Sequence, residues 1–164
     1  MSTLNVGTIQ STLIEHTNGT DALLIDSAGR VTTPANPMFA ARGAESNFTT
    51  TNGSDLPFNN AFFNVGNHFN TTNYRFTCPV TGTYIFTASL FTNGSTGSPR
   101  VAIKVNNTSY QNLQANWGST TSHWSQSVIW RLNANDYVTV GDWQSISGAT
   151  IYMGHSHFCG YLLG

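Results

Sequence analysis

The segment "HSHFC" carries the densest chemistry in the chain: His155, His157 and Cys159 fall on alternate positions. In a strand alternate residues share one face. Two imidazoles and a thiolate are zinc ligands, and the same row could gather around the axis of an oligomer. Residues two apart in a strand sit ~7 Å apart, wide for a single ion unless the strand bends. A Cys–His nucleophile pair needs a contact of roughly 3 Å, so that spacing argues against one. The other reading is that the row lines an interface and hydrogen-bonds to backbone or Asn side chains. No metal or cofactor is assigned, and His155 and His157 remain the residues that would hold one.

The seven carboxylates, Glu15, Asp21, Asp26, Glu45, Asp55, Asp136 and Asp142, are thinly spread. Glycosidase chemistry needs two carboxyls facing one bond, and no strand or loop here supplies such a pair. Calcium needs clustered oxygens, and Asp136 and Asp142 stand isolated in sequence. Asp26 and Asp136 have turn-forming roles at hand. An enzyme is therefore not expected. Binding is more open: Tyr110, Trp117, Trp124 and Trp143 lie in or beside Asn/Gly/Ser-rich sequence. Aromatic platforms flanked by Asn and Gln suit a sugar-binding surface; core or intersubunit packing is the competing reading for all four.

The elements that must position these groups are strands. Turn signals recur about every ten residues, as at Asn18-Gly19, Asn52-Gly53, Thr81-Gly82 and Asn93-Gly94. Between them lie short alternating runs: "RVAIKV" places Val101, Ile103 and Val105 on one face, and "HWSQSVIWRL" aligns Trp124, Val128, Trp130 and Leu132. That pattern predicts an all-β sandwich. Pro34 and Pro37 mark a boundary, placing an arm at 1–36 and the main domain at 37–164. Within the arm, Leu23–Ile25 and Arg30–Thr32 flank a turn in which Gly29 takes the left-handed position. The arm is too short and polar to bury Leu4, Val6, Ile9 and Leu13, so these are its expected anchoring residues.

Only 8% of the 164 residues are charged, against roughly 25% in an average soluble protein. The net charge is −1 with six Lys plus Arg, so a nucleic-acid footprint is not expected. No apolar run suits membrane insertion, which takes about 20 residues. "MSTLNVGTIQ" lacks the basic and apolar regions of a signal peptide, so the Asn-x-Ser/Thr triplets read as products of composition. Cys78 and Cys159 are expected to be free, buried thiols.

The aromatic spacing is the most specific signal. Phe58, Asn64, Phe69 and Phe76 lead into Gly82, Tyr84 and Phe86 of a Gly-x-Tyr-x-Phe run. This series resembles the signature of the complement C1q-like domain, a jelly roll shared with the tumour necrosis factor superfamily. "NPMFAA", "LNANDYVTV" and "FCGYLL" are similar to that family's first strand, a later strand start and its closing strand, so the resemblance spans about 37–163. The chain departs from the pattern at Ala88, where an aromatic is usual, at Asn135, where Gly is usual, and at Cys159, where Ser is usual. No collagen-like stalk precedes the domain. The arm resembles instead that of tailed-phage virion proteins, especially of cyanophages and other marine phages.

"HFCGYLL" is apolar on both faces, Phe158 and Leu162 opposing Cys159, Tyr161 and Leu163. "TYIFTASLF" repeats the pattern, with Tyr84, Phe86 and Leu90 against Ile85 and Phe91. One face fills the sandwich and the other needs a cover. The resemblance implies that the last strand and its neighbours line a three-fold axis. The expectation is a homotrimer with Tyr84, Phe86, Phe158, Tyr161 and Leu163 in its core or interface. It would be a non-enzymatic structural protein on the virion surface of a tailed phage, held by residues 1–36 to other virion proteins. Decoration or a short fibre on the head is expected, since a chain this short has no shaft; a tip binding host surface glycan is the alternative.

Overall fold

The computed structural model describes residues 13–15, 19, 21–51, 53–95, 101–113, 122–143 and 149–164. The chain divides into two compact units, 1–36 and 37–164. The first holds an antiparallel sheet of β1 (Leu13–Glu15), β2 (Asp21–Ile25) and β3 (Val31–Thr32). Asp26 closes its turn: Oδ1 accepts the N–H groups of Ala28 and Arg30, and Gly29 has φ +78°. These bonds and the Arg30 guanidinium hold the Asp26 carboxyl below its usual range. Ile14, Leu24, Ile25 and Val31 are exposed, as three short strands bury little by themselves. β1 is one strand more than the hairpin the sequence implied. Leu4, Val6 and Ile9 lie outside the described residues, as does the Leu13 side chain.

The second unit is a sandwich of two antiparallel sheets. One contains β4 (Met38–Arg42), β5 (Asn47–Thr49), β6 (Asn60–Val65), β9 (Gly82–Ser95), β12 (Ser122–Leu132), β14 (Ala149–Tyr152) and β15 (His157–Leu162). Its order runs β5-β14-β9-β15-β4-β6, with β12 on the other side of β9. The opposite sheet orders β11 (Ser109–Leu113), β10 (Val101–Val105), β13 (Tyr137–Asp142), β8 (Arg75–Thr77) and β7 (Phe69–Asn70).

From Thr83 to Leu90 strand β9 follows the period of two: Tyr84, Phe86, Ala88 and Leu90 are buried, while Thr83, Ile85, Thr87 and Ser89 are half-exposed. The buried series meets a cluster of rings. Phe39 stacks on Phe69 at 4.4 Å and Phe76 at 5.0 Å, and meets Phe158 edge-on at 4.9 Å. Gly160 makes room for this cluster, since a Cβ there would lie 2.5 Å from Phe86 and 2.8 Å from Phe39. Tyr84, Phe86 and Phe158 are thus interior to one subunit. Each such ring contributes roughly 1.5–3 kcal/mol by burial.

The aromatic signature has a physical reason at each position. The Asn64 amide brackets Phe69, donating from Nδ2 to its carbonyl (2.7 Å) and accepting its N–H at Oδ1 (3.0 Å). Tyr84 donates its hydroxyl proton to the Val80 carbonyl at 2.7 Å. Asn135, in place of the usual Gly, adopts φ +72°, a conformation Asn tolerates better than most residues. Asp136 works as the turn residue expected, accepting the Asn133 N–H at 2.7 Å and the Asn106 amide at 2.8 Å.

Candidate functional site

Two regions of the sandwich domain concentrate features that packing within one subunit does not use. The first is the outward face of the β12-β9-β15-β4-β6 sheet. Its register aligns Ile129, Ile85, Tyr161, Met38 and Val65 in one row across five strands. The next row reads Ser127, Thr87, Cys159, Ala40 and Phe63, and the row beyond turns polar with Ser125, Ser89, His157, Arg42 and Asn60. A solvated sheet face should be polar; here Ile129 is 60% exposed and Phe63 49%. A shallow cavity of about 200 Å³ opens in this face between Met38, Phe63, Ile85 and Tyr161.

A bulge adds to the apolar surface. Ala40 pairs with Phe63 and Ala41 with Ala61, so Phe62 is the extra residue, and both phenylalanines point outward. The Arg42 guanidinium lies 5.8 Å from the Phe62 ring and the His157 ring 6.0 Å from it. Alternation alone assigns Phe62 and Phe63 to opposite faces, so the sequence gives no sign of this pair.

The second region lies on the opposite sheet. Strand β10 is buried along its whole length, Lys104 included. Its ammonium pairs with Asp55 Oδ1 at 2.6 Å and points a further N–H toward the Asp142 carbonyl at 3.5 Å. Asp55 reaches it because residues 54–56 run alongside β13: Leu56 N–H donates to Val140 O (2.7 Å) and Asp142 N–H to Ser54 O (2.8 Å). Gly141 permits this approach, for a Cβ there would clash with the Ser54 carbonyl.

The Asp142 side chain is itself buried. Oδ2 accepts the Gly53 N–H at 3.2 Å, and Oδ1 is buried. Burial pushes this carboxyl above its usual range, against the lowering influence of the Gly53 N–H, the Lys104 charge and the nearby Trp143 N–H. Gly53, Lys104, Asn107, Asp142 and Trp143 line a cavity of about 310 Å³.

The sequence-derived candidates separate. His155 closes a 3-10 turn, Met153–His155, so it does not share a strand row with His157 and Cys159. Its ring packs 4.8 Å from Tyr152 and 5.3 Å from Phe91. Among the described residues no three His, Cys, Asp or Glu side chains form a metal-holding group. Cys78 and Cys159 are both free, and burial pushes Cys78 up to about 12 and raises Cys159. Tyr161 sits on the outward face and Leu163 is exposed just beyond β15.

Trp124 lies inside β12, packed against the core rather than on a loop. Trp143 is half-buried at the 310 Å³ cavity. Tyr110 lies in β11 and pairs with Lys104, while its side chain and all of Trp117 fall outside the described residues. Asp142 is corrected from isolated to convergent with Asp55 around Lys104. A lysine in the middle of an apolar strand was the available signal, but alternation places it on a solvent face.

The C1q domain model matches residues 38–163, the whole of this sandwich. The chain belongs to the C1q family. Among curated proteins none matches it. Solved structures with the same architecture include the globular domain of zebrafish complement 1qA, at TM-score 0.61 and 19% identity over 78% of this chain and 98% of that one. Eiger TNF from S. frugiperda gives 0.60 at 10% identity over 79% and 94%. Murine APRIL gives 0.57 at 10% over 78% and 99%. The fold of the C1q domain here is therefore the C1q/TNF jelly roll, and its Phe58-to-Phe86 signature is a list of core positions. Phe58, Phe69, Phe76, Tyr84 and Phe86 are all buried.

Proposed function

We propose that this C1q-family chain is a self-assembling, non-enzymatic structural protein: a homotrimer on the surface of a tailed-phage virion, decorating the particle or attached as a short fibre. The observation that carries self-assembly is the apolar row Ile129-Ile85-Tyr161-Met38-Val65 on an outward sheet face. A face of that kind is stabilised when a second copy removes it from water. Its position on the strand set that contains β15 agrees with the three-fold arrangement implied by the family resemblance. The virion role rests on the resemblance of residues 1–36 to phage arms. Four large apolar side chains exposed on β1–β3 fit a segment that docks onto other virion proteins.

Light scattering of the full chain is expected to give three copies per particle; a monomer at tens of micromolar would overturn the assembly reading. Deleting residues 1–36 is expected to leave the trimer intact and to abolish incorporation into phage particles. Incorporation of the truncated chain would remove the anchoring role. A second reading, recognition of host surface glycan, is favoured by one specific observation: the half-buried Trp143 borders a cavity of about 310 Å³ beside the exposed Asn107.

A further inference from the structure

We propose that Lys104 and Asp55 condense, once the chain has folded, into an amide bond between their side chains, a covalent clamp made without cofactor or second protein. The sequence singles out the lysine first. Lys104 is the only lysine in the 164-residue sequence, so it is not one of a set spread over the surface for solubility. Lysine is almost never fully buried unless paired. Here its side chain is 3% exposed, in a strand whose five residues are all buried.

The contact has the geometry of two reactants as well as of an ion pair. Nζ lies 2.6 Å from Asp55 Oδ1, yet Oδ1 takes part in no hydrogen bond among the described residues, so the ammonium stands off the direction a hydrogen bond requires. With a C–O bond of ~1.2 Å, the Asp55 Cγ is within ~3.8 Å of Nζ, near the ~3–3.5 Å of atoms about to react. Both backbones are fixed in that position. Lys104 pairs with Tyr110 of β11 and Thr139 of β13, while Asp55 bridges Gly141 on the other edge of β13. The lysine therefore reaches across β13, and Gly141 keeps the path clear, since a Cβ there would lie 2.9 Å from Asp55 Oδ1.

Burial supplies the drive. As ions both groups lose hydration that their attraction only partly restores; a neutral amide removes both charges. The proton passes from the ammonium to the carboxylate within the contact, leaving an amine and a carboxylic acid. The nitrogen lone pair attacks Cγ, as desolvated lysines do at carbonyl carbons. A C–N bond forms, the C–OH bond breaks, and the hydroxyl leaves as water with a proton from the nitrogen. Nothing is oxidised or reduced and no co-reactant enters. The chain as first folded holds the ion pair, and the amide follows from it. The clamp ties residues 54–56 to β10 over β13 and closes a loop of roughly 50 residues, which restricts the unfolded chain.

The test follows the intact mass of the full chain over days after refolding, beside a sample kept in denaturant throughout. A growing fraction of the folded sample is expected to become lighter by one water, and none of the denatured sample. Trypsin should then fail to cut after Lys104, and residues 43–75 should appear joined to residues 101–131 as one branched peptide. Lys104→Arg, which keeps the cation but does not form this amide, and Asp55→Ala are each expected to retain full mass. A folded wild-type chain that stays at full mass overturns the proposal, whether or not the variants fold. Loss of water without the branched peptide, or loss that persists in Lys104→Arg, marks a succinimide at an aspartate and overturns it equally.

Discussion

The two sheets of the sandwich place opposite materials where a folded domain usually has neither. On the β12-β9-β15-β4-β6 sheet an apolar row faces outward. On the β11-β10-β13-β8-β7 sheet a lysine and two aspartates come together in burial. The first arrangement costs little while a partner covers it, and its removal from water is favourable by area. The second has no such compensation: each ion loses hydration and recovers it only through geometry. On the assembly proposed above, one surface is matched to another copy of the chain, and the other to groups within the same chain.

The largest expected effect falls on the apolar side of that contrast. Ile85→Asp would put a carboxylate in the centre of the row, opposite Ile129 and Tyr161. In a free subunit the charge stays hydrated, because position 85 is only half-buried. In a trimer it would be desolvated without a partner, which costs about 3–5 kcal/mol, or more than a hundredfold in association. Analytical ultracentrifugation is expected to show monomers with an unchanged far-UV spectrum. A trimer of undiminished stability would mean that this face is not the one that assembles.

On the charged side, Lys104→Met strands Asp55 and Asp142 without their cation. With the Lys104 and Asp55 side chains 3% and 17% exposed, a loss of about 3–5 kcal/mol in unfolding free energy is expected from denaturant titration. Adding Asp55→Leu should recover much of it, since an apolar pair of similar volume replaces an ion pair with little net cost. If Lys104→Met alone melts as the wild type does, the pair is hydrated in solution and the contrast between the sheets disappears.

How far each region could be read from the sequence follows from the same physics. Strands that alternate announce themselves, so Tyr84, Phe86 and Phe158 were legible as packing, and Val128, Trp130 and Leu132 as one side of β12. The fixed spacing from Phe58 to Phe86 was legible for a stronger reason: its aromatic positions share one ring cluster and Asn64 is tied to the Phe69 backbone, so none can drift. The Lys104 cavity was not legible because its members meet only through tertiary pairing. Asp55 arrives along β13 beside Gly141, far in sequence from Lys104. The Phe62–Phe63 pair was hidden by one inserted residue, which shifts the register within β6 and defeats any argument from alternation. His155 misled for a related reason: three residues of 3-10 turn break the period that the segment from 155 to 159 implies.

The smallest effect gives the finest test of the charged side. Burial raises the folded-state pKa of Asp142 above its ordinary value of 3.8, so the folded protein holds this proton more tightly than the unfolded chain does. Its contribution is present below pH 3.8 and is lost as pH rises through the raised folded value, because the ionised carboxylate is the form that burial penalises. Asp142→Asn removes that titration and leaves Lys104, Asp55 and the Gly53 N–H in place. The lowered carboxyls, Asp26 and Glu45, act in the opposite direction but are common to both proteins and cancel in the difference. Unfolding free energies measured from pH 3 to pH 7 are therefore expected to show the wild type losing stability relative to Asp142→Asn as pH rises from about 3.8. A difference between the two proteins that does not change with pH would show that Asp142 is hydrated in solution, and the charged side of the sandwich would then carry no burial penalty at this carboxyl.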